Sequence, residues 1–259
     1  MKSYDKGNWF RWGENDQRGA LNFITAEKTV RATKVVQRGK VYSLALPITH
    51  TSYGVPNNPR AAPPIHVSTV RKNAFGNIST GSDYVTLFSH GQTHIDALSH
   101  VWTDGVLYNN FSEENATSFG SEKCGIGSIG GIVTRGVLLD LARFKGVDSL
   151  ARGESISDED LYSCAKAEGI RLESGDAVLL RTGYLTTFDK KNPVDFFRGE
   201  PGLAKSASKL FDDREIAIVG ADTYAVEVEP TEDGDWGVPI HLDLLWKRGI
   251  PLIEVLLLC

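Results

Sequence analysis

Cysteine is scarce in this 259-residue sequence. There are three, Cys124, Cys164 and Cys259, an odd number without a CxxC pair. That excludes a disulfide scaffold and a thiolate zinc knuckle, and it fits a reducing cytoplasm. No run of about 18 apolar residues occurs, so no transmembrane helix is expected. The opening stretch MKSYDKGNWFRWGENDQ holds no apolar segment of the signal-peptide type. Basic residues are not in excess: Lys plus Arg is 28, Asp plus Glu is 33 and the net charge is −5. This balance argues against a nucleic-acid or anionic-membrane partner. The sequence has no internal repeat and no low-complexity tract. Ser43, Ser79 and Ser89 lie in no GxSxG context, which leaves a serine-hydrolase reading little support.

What is present reads as one α/β domain spanning 1–259. At 41% hydrophobic and 24% charged residues the composition is that of a globular protein. A chain of this length buries a full core without staples. Residues 1–24 form an irregular arm. Thr25 caps a helix over Ala26–Arg38 closed by Gly39, and Val41–Leu46 is a strand ending at Pro47. The Pro-, Asn-, Gly- and Ser-rich stretch 49–81 is too long for an idle connection and is expected to be functional or a lid. Strands follow at Tyr84–Ser89 and Ile132–Leu139. Ser157 with Asp160 forms a capping box for a helix to Glu168. Ala177–Thr182 is a strand, Pro201–Phe211 a helix, Ile216–Gly220 a strand, Pro239 to Gly249 a helix, and Ile250–Leu258 the last strand. This alternation argues for an α/β fold.

Three of the six histidines fall in one short window, His90-Gly91-Gln92-Thr93-His94-Ile95-Asp96-Ala97-Leu98-Ser99-His100. Imidazole and carboxylate are the usual ligands of zinc, manganese and iron. One helix cannot converge His90, His94 and Asp96. A turn at Gly91 followed by a helix start can, and it would set Asp96 and His100 on one helical face. The pattern is not HExxH. Glu254 interrupts an apolar run, so it is either buried with a partner or an edge-strand charge facing water. His241 opens a helix, where it points into a cleft or lies on the surface.

The window resembles the signature of the metal-dependent cyclase hydrolases, which include kynurenine formamidase, isatin hydrolase and trans-dienelactone hydrolase. Gln92 and Leu98 stand where that motif has Gly and Pro. Trp12-Gly13 to Leu21-Asn22, Gly175 to Gly183, Gly220-Ala221-Asp222, Pro239-Ile240-His241 and the Glu254 strand extend the resemblance over nearly the whole chain. It implies a swivelling β/β/α domain, a β-barrel-like mixed sheet with flanking helices. It implies that His90, His94 and Asp96 hold one divalent metal, Mn2+ or Zn2+. In dizinc members the trio His100, His241 and Glu254 helps hold a second; in manganese members His100 acts on protons and substrate. Long members continue past the last glutamate strand, so a C-terminal truncation is expected. A homo-oligomer is expected as well, with the aromatic arm as a candidate contact.

The function that follows is hydrolysis of an amide-type C–N bond in a cyclic amide or aryl formamide. His100 and then Glu254 carry protons, and Gln92 and Thr93 orient substrate or the ligands. A lactone hydrolase and a metal-binding module without turnover are the competing readings. The substrate is a small molecule, aromatic or cyclic, and Trp9, Trp12, Tyr53, Phe75 and Trp102 either line its pocket or serve core or interface. Asp222 reads as a structural turn residue. Glu227, Glu229, Glu232, Asp233 and Asp235 read as an acidic, solvated loop, and GIGSIGG at 125–131 as a turn.

Overall fold

The computed structural model describes residues 7–48, 65–189, 192–234 and 237–258. Four parallel strands form its centre: β4 (Gly136–Asp140), β5 (Ala177–Arg181), β6 (Ile218–Ala221) and β7 (Leu252–Glu254). They follow an exposed hairpin, β1 (Ile65–Phe75) and β2 (Ile78–Thr86), and a two-residue strand β3 (His94–Ile95). β3 pairs antiparallel with β7 at one edge, so the order is β3-β7-β6-β5-β4. The sheet is mixed and flanked by helices, and no closed barrel is present among the described residues. No helix among them is long and apolar enough to cross a membrane.

Alternation along the strands gives the sheet two buried faces. Val137, Leu139, Val178, Leu180, Val219 and Ala221 pack with Leu161 and Cys164 of one helix and Phe211 of another. Ile218 and Ala177 turn to the opposite side, against Leu21 of the N-terminal arm and Ile129. The arm is held by close backbone approach at Gly19, where φ is +57° and an added Cβ would lie 2.2 Å from the Gly249 carbonyl oxygen. Trp9 completes the clamp, donating from Nε1 to the Trp246 carbonyl at 2.6 Å.

The capping box of the central helix (Asp158–Ala167) forms as expected, with Ser157 accepting from the Asp160 amide at 3.1 Å and Asp160 accepting in return from Ser157 N at 2.9 Å. Asp222 serves the turn after β5, accepting from Thr182 N, Thr182 Oγ1 and Gly183 N at 2.8, 2.6 and 2.8 Å. Other expectations are corrected. The first helix stops at Thr33, because Val35 and Val36 are 54% and 67% exposed and no packed face repays extending it. Val41–Leu46 forms no strand. Residues 201–206 are not helical: Gly202–Leu203 pairs with Ser155–Ile156, and the helix begins at Ala207. An added Cβ at Gly202 would lie 2.2 Å from the Glu227 carbonyl carbon, so the chain there is packed flat against its neighbour. The last strand ends at Glu254 because Val255 has φ +54°. Of the stretch 49–81, residues 65–81 lie in the hairpin, whereas 49–64, with Tyr53, fall outside the described residues.

One buried ion pair ties the arm side to the sheet. The Asp176 carboxylate, fully buried, meets Lys28 Nζ at 2.5 Å and Arg135 at 2.5 and 2.9 Å. Burial pushes the Asp176 carboxyl up, but the hydrogen bonds from Arg135 and Lys28 outweigh it and hold it below the ordinary value. Its stabilisation is therefore complete above the unfolded-state pKa, about 3.9, and disappears as the pH falls through the depressed folded value. Asp176→Ala should cost about 3–5 kcal/mol at pH 7, because it leaves the buried Lys28 with only the half-exposed Glu173 at 3.7 Å. Denaturant melts should show that cost shrinking toward pH 3; a constant cost across that range would contradict the pairing.

Candidate metal centre

The centre assembles where β3 meets β7, outside the carboxyl end of the parallel strands. The register sets Glu254 opposite His94, and Asp96 N donates to the Leu252 carbonyl at 2.8 Å. His90 lies in a short 3-10 turn, Ser89–Gly91, that follows the hairpin. His241 comes from the helical turn Pro239–His241. Asp96 to His100 is a turn and not the expected helix: β3 must stay extended to pair with β7, and His100 returns through a hydrogen bond from its amide to the Ala97 carbonyl at 2.9 Å.

One donor atom from each of His90, His94, Asp96 and Glu254 lies within 4.8 Å of the others, and so do those of Asp96, His100 and His241. Asp96 Oδ1 is 3.2 Å from both His90 Nδ1 and His94 Nε2. Asp96 Oδ2 is 3.5 Å from His241 Nε2 and 4.0 Å from His100 Nε2. Glu254 divides its oxygens in the same way, Oε2 at 3.3 Å from His94 Nε2 and Oε1 at 3.2 Å from His241 Nε2. The two carboxylates thus stand between two sets of imidazoles. Asp96 is fully buried and the Glu254 side chain is 5% exposed. Glu254 is therefore buried with partners, and not an edge charge.

The donor set fits a divalent ion. His94 Nε2, both Asp96 oxygens and Glu254 Oε1 are buried without a hydrogen bond, a costly condition unless a cation completes them. Ligand atoms about 2.0–2.2 Å from one ion stand about 3.0–3.5 Å from each other, which is the spacing seen here. The two carboxylates supply two negative charges against the two of the ion.

Neighbouring groups fix the imidazoles. His94 Nδ1 lies 2.8 Å from the Gln92 carbonyl, so Nδ1–H donates there and Nε2 faces the centre. His241 Nδ1 contacts Glu227 Oε1, while Glu227 Oε2 accepts from Ile240 N at 2.9 Å. Glu227 is 1% exposed, which corrects its assignment to a solvated loop. Glu200, 3% exposed, accepts from Tyr224 N and Ala225 N at 2.6 Å each and pins the segment that leads to Glu227. Val226 and Val255, each next to a carboxylate of the centre, hold φ of +61° and +54°. A β-branched residue in that region is strained by about 1–3 kcal/mol, which the surrounding packing must hold. Of the remaining acids, Glu229 is half-buried, its carboxyl pushed up to about 7 by burial and by Glu227. Glu232 and Asp233 are exposed, and Asp235 lies outside the described residues.

Charge couples the groups. Burial alone would push His94 down, but Asp96 and Glu254 outweigh it and hold it at about 10. His241 is likewise raised against its burial by Asp96, Glu227 and Glu254. Asp96 is held low against its burial by His241, His90 and His94. His100 differs: burial lowers it, helped by His90 and His241, and the pull of Asp96 does not reverse that. Its ring stacks on His90 at 4.2 Å between centroids, with its side chain 35% exposed.

A cleft of about 660 Å³ opens on the centre, lined by His90, His94 and His100 with Ile95, Ala97 and the turn at Gly125–Gly127. The glycine-rich segment is thus a turn, as expected, that also forms a wall. The described aromatic candidates, Trp9, Trp12, Phe75 and Trp102, are not among the residues that line the cleft. Trp9 and Trp12 pack the arm, Trp102 donates to Glu113 at 2.8 Å, and Phe75 sits 68% exposed on the hairpin. Thr93 ties together the segments that flank the centre, donating to the Val255 carbonyl at 2.6 Å and accepting from Leu46 N at 2.9 Å.

Glu227→Ala should free the His241 ring and weaken metal affinity about 10–100-fold, read by calorimetry, with Glu227→Gln intermediate because it keeps one acceptor. Unchanged affinity in Glu227→Ala would show that the contact does not position His241.

Comparison with known proteins gives the family and the fold. The cyclase family model matches residues 42–228. A solved structure described as a novel cyclase is 32% identical, with a TM-score of 0.88, covering 96% of this chain and 84% of that one. Isatin hydrolase A from Labrenzia aggregata, bound to benzyl benzoate, is 18% identical with a TM-score of 0.59, over 84% of this chain and 80% of its own. Isatin hydrolase A from Ralstonia solanacearum is 16% identical with a TM-score of 0.55, over 90% and 84%. At those identities the likeness to the isatin hydrolases is one of fold. No curated protein matches the chain. The match across residues 42–228, together with the 32% identity to a solved cyclase, shows that this chain belongs to the cyclase family.

Proposed function

We propose that this chain is a divalent-metal-dependent hydrolase that opens an amide-type C–N bond in a cyclic amide or an aryl formamide. The observation that carries the reading is the buried centre itself, in which Asp96 and Glu254 turn hydrogen-bond-free oxygens toward His90, His94 and His241. His90, His94, Asp96 and Glu254 would hold a first ion, Zn2+ or Mn2+. Asp96, His241 and Glu254, with His100, offer donors for a second. A bound divalent ion supplies Lewis acidity toward a carbonyl oxygen and toward water.

The protein supplies the rest. His100 is the one imidazole of the group that is both partly exposed in the cleft and lowered in pKa, so it is neutral near pH 7 and can accept a proton. It would take the proton from the attacking water and return it to the departing nitrogen. Glu254 directs one oxygen toward His94 and the other toward His241 and is not among the residues that line the cleft, which favours a ligand role over its expected role as a proton carrier. Gln92 and Thr93 act on the scaffold: the Gln92 carbonyl orients His94, and Thr93 ties β3 to Val255. Ile95, Ala97 and Ile126 give the cleft apolar wall for a small cyclic or aromatic acyl group. Two relatives in fold are isatin hydrolases, and isatin is a cyclic amide. The described cysteines, Cys124 and Cys164, are free thiols, in keeping with the cytoplasmic location we assign.

A panel of cyclic amides, aryl formamides and lactones tests the substrate class. Amide-type turnover that disappears on chelation and returns with Zn2+ or Mn2+ is expected. Faster lactone opening would move the assignment to the C–O bond, and metal binding without turnover on the whole panel would leave a binding module.

A further inference from the structure

A cavity of about 380 Å³ opens where two helices end. The central helix (Asp158–Ala167) stops there, and Gly169, at φ +67°, turns the chain so that Ile170 N donates back to the Ala165 carbonyl at 2.8 Å. The helix Ala207–Asp213 stops beside it at Arg214, whose amide donates to the Leu210 carbonyl at 3.1 Å. Both segments then lead into the amino ends of β5 and β6, whereas the metal centre lies beyond the carboxyl ends. Ile170, Leu172 and Leu210 line the cavity and pack on the main core, so its floor is apolar. Tyr162, 56% exposed, adds a ring at its side. Lys166, Arg171 and Arg214 line it too, and all three are exposed, so they stand at its rim.

None of these three cations has a carboxylate partner among the described residues. The neighbouring acids are engaged elsewhere: Glu168 with Arg143 at 2.8 Å, Glu173 with Arg135 and Lys28 at 3.6 and 3.7 Å, Asp212 with Arg248 at 3.4 Å, Asp213 with Lys209 at 2.5 Å, and Glu215 with Arg11. Three uncompensated cations thus surround one apolar cavity in a chain of net charge −5. A helix C-terminus favours a cation, which accounts for Lys166 and Arg214 as charges. It accounts neither for Arg171, which belongs to no helix, nor for the apolar hollow between them.

We propose that this cavity binds a small organic anion, with a ring-sized apolar body on Ile170, Leu172 and Leu210 and a carboxylate held by Lys166, Arg171 and Arg214. The volume lies at the lower end of small-molecule sites, which run from about 300 to 1,000 Å³. The acidic chain as a whole repels a polyanion such as nucleic acid or an anionic membrane, whereas one carboxylate answers to the local cations alone. A bare inorganic anion would lose water against the apolar floor without return. Guanidinium groups match a carboxylate with two parallel hydrogen bonds. The inference rests on no metal and stands apart from the hydrolase reading.

Calorimetric titration of benzoate into the metal-loaded chain tests it, with benzyl alcohol as the neutral probe and inorganic phosphate as the plain anion. Wild type should take up benzoate saturably and more tightly than either control. Arg171→Ala with Arg214→Ala should raise the benzoate Kd roughly 10-fold or more, and Lys166→Glu should weaken it in the same direction. Asp96→Ala, which empties the metal centre, should retain one equivalent of benzoate per chain. Hydrogen exchange on wild type locates the ligand without a substitution: benzoate should slow the amides of 162–172 and 210–214. No saturable uptake, or a Kd unmoved in the double arginine variant, would overturn the proposal. Uptake that disappears in Asp96→Ala would place benzoate on the metal and overturn it equally. Benzyl alcohol or phosphate bound as tightly as benzoate would contradict the class of ligand.

Discussion

Asp96→Ala is expected to remove metal and hydrolysis together. Asp96 reaches all four imidazoles of the centre, with Oδ1 toward His90 and His94 and Oδ2 toward His241 and His100. No neighbouring carboxylate can replace it, because Glu254 already faces His94 and His241. Removing the Lewis acid should cost several kcal/mol of transition-state stabilisation, a loss on the order of 10³-fold or more in kcat/KM. Metal per chain, measured beside activity on a variant with unchanged circular dichroism, checks it. Full metal content with full activity would show that this cluster is not the working site.

His100→Ala separates proton transfer from metal binding. His90, His94, Asp96 and Glu254 do not depend on it, so at least one ion per chain should remain. The lost proton carrier should lower kcat by about 10²–10⁴-fold with little change in KM. A variant that loses all its metal would recast His100 as an essential ligand. A variant that keeps its kcat would send the proton elsewhere.

Much of the centre was legible in the sequence because its chemistry is compressed. His90, His94, Asp96 and His100 sit in one window, and that density survives any error about local conformation. The error was real: the expected helix at Asp96–His100 is a turn, since β3 is claimed by pairing with β7, a long-range demand that no local pattern shows. Glu254 could be singled out because a carboxylate inside Leu252–Leu256 must be satisfied. The same argument applies to Glu227, bracketed by Val226 and Val228, but the acids that follow it disguised a buried partner of His241 as part of a solvated run. Strands β5 and β6 declared themselves by continuous apolar character, and the capping box fixed the start of the central helix. Of the hairpin at 65–86 only the end was read, as a strand at Tyr84–Ser89 that in fact stops at Thr86, and the rest stayed hidden for the opposite reason. It is exposed on both faces, so neither side imposes the alternation that marks a half-buried strand. Pro201 suggested a helix start that the packing of Gly202 against Glu227 forbids.

The most direct test of the central claim is metal per chain, by elemental analysis, for wild type and Asp96→Ala loaded in parallel with Zn2+ or Mn2+ and freed of excess. At least one ion per wild-type chain and none in the variant is the result predicted. Two zinc ions would engage His241 and His100 as ligands as well, and one manganese would leave His100 to move protons. Wild type without stoichiometric metal, or equal metal in the variant, would contradict a centre built on Asp96.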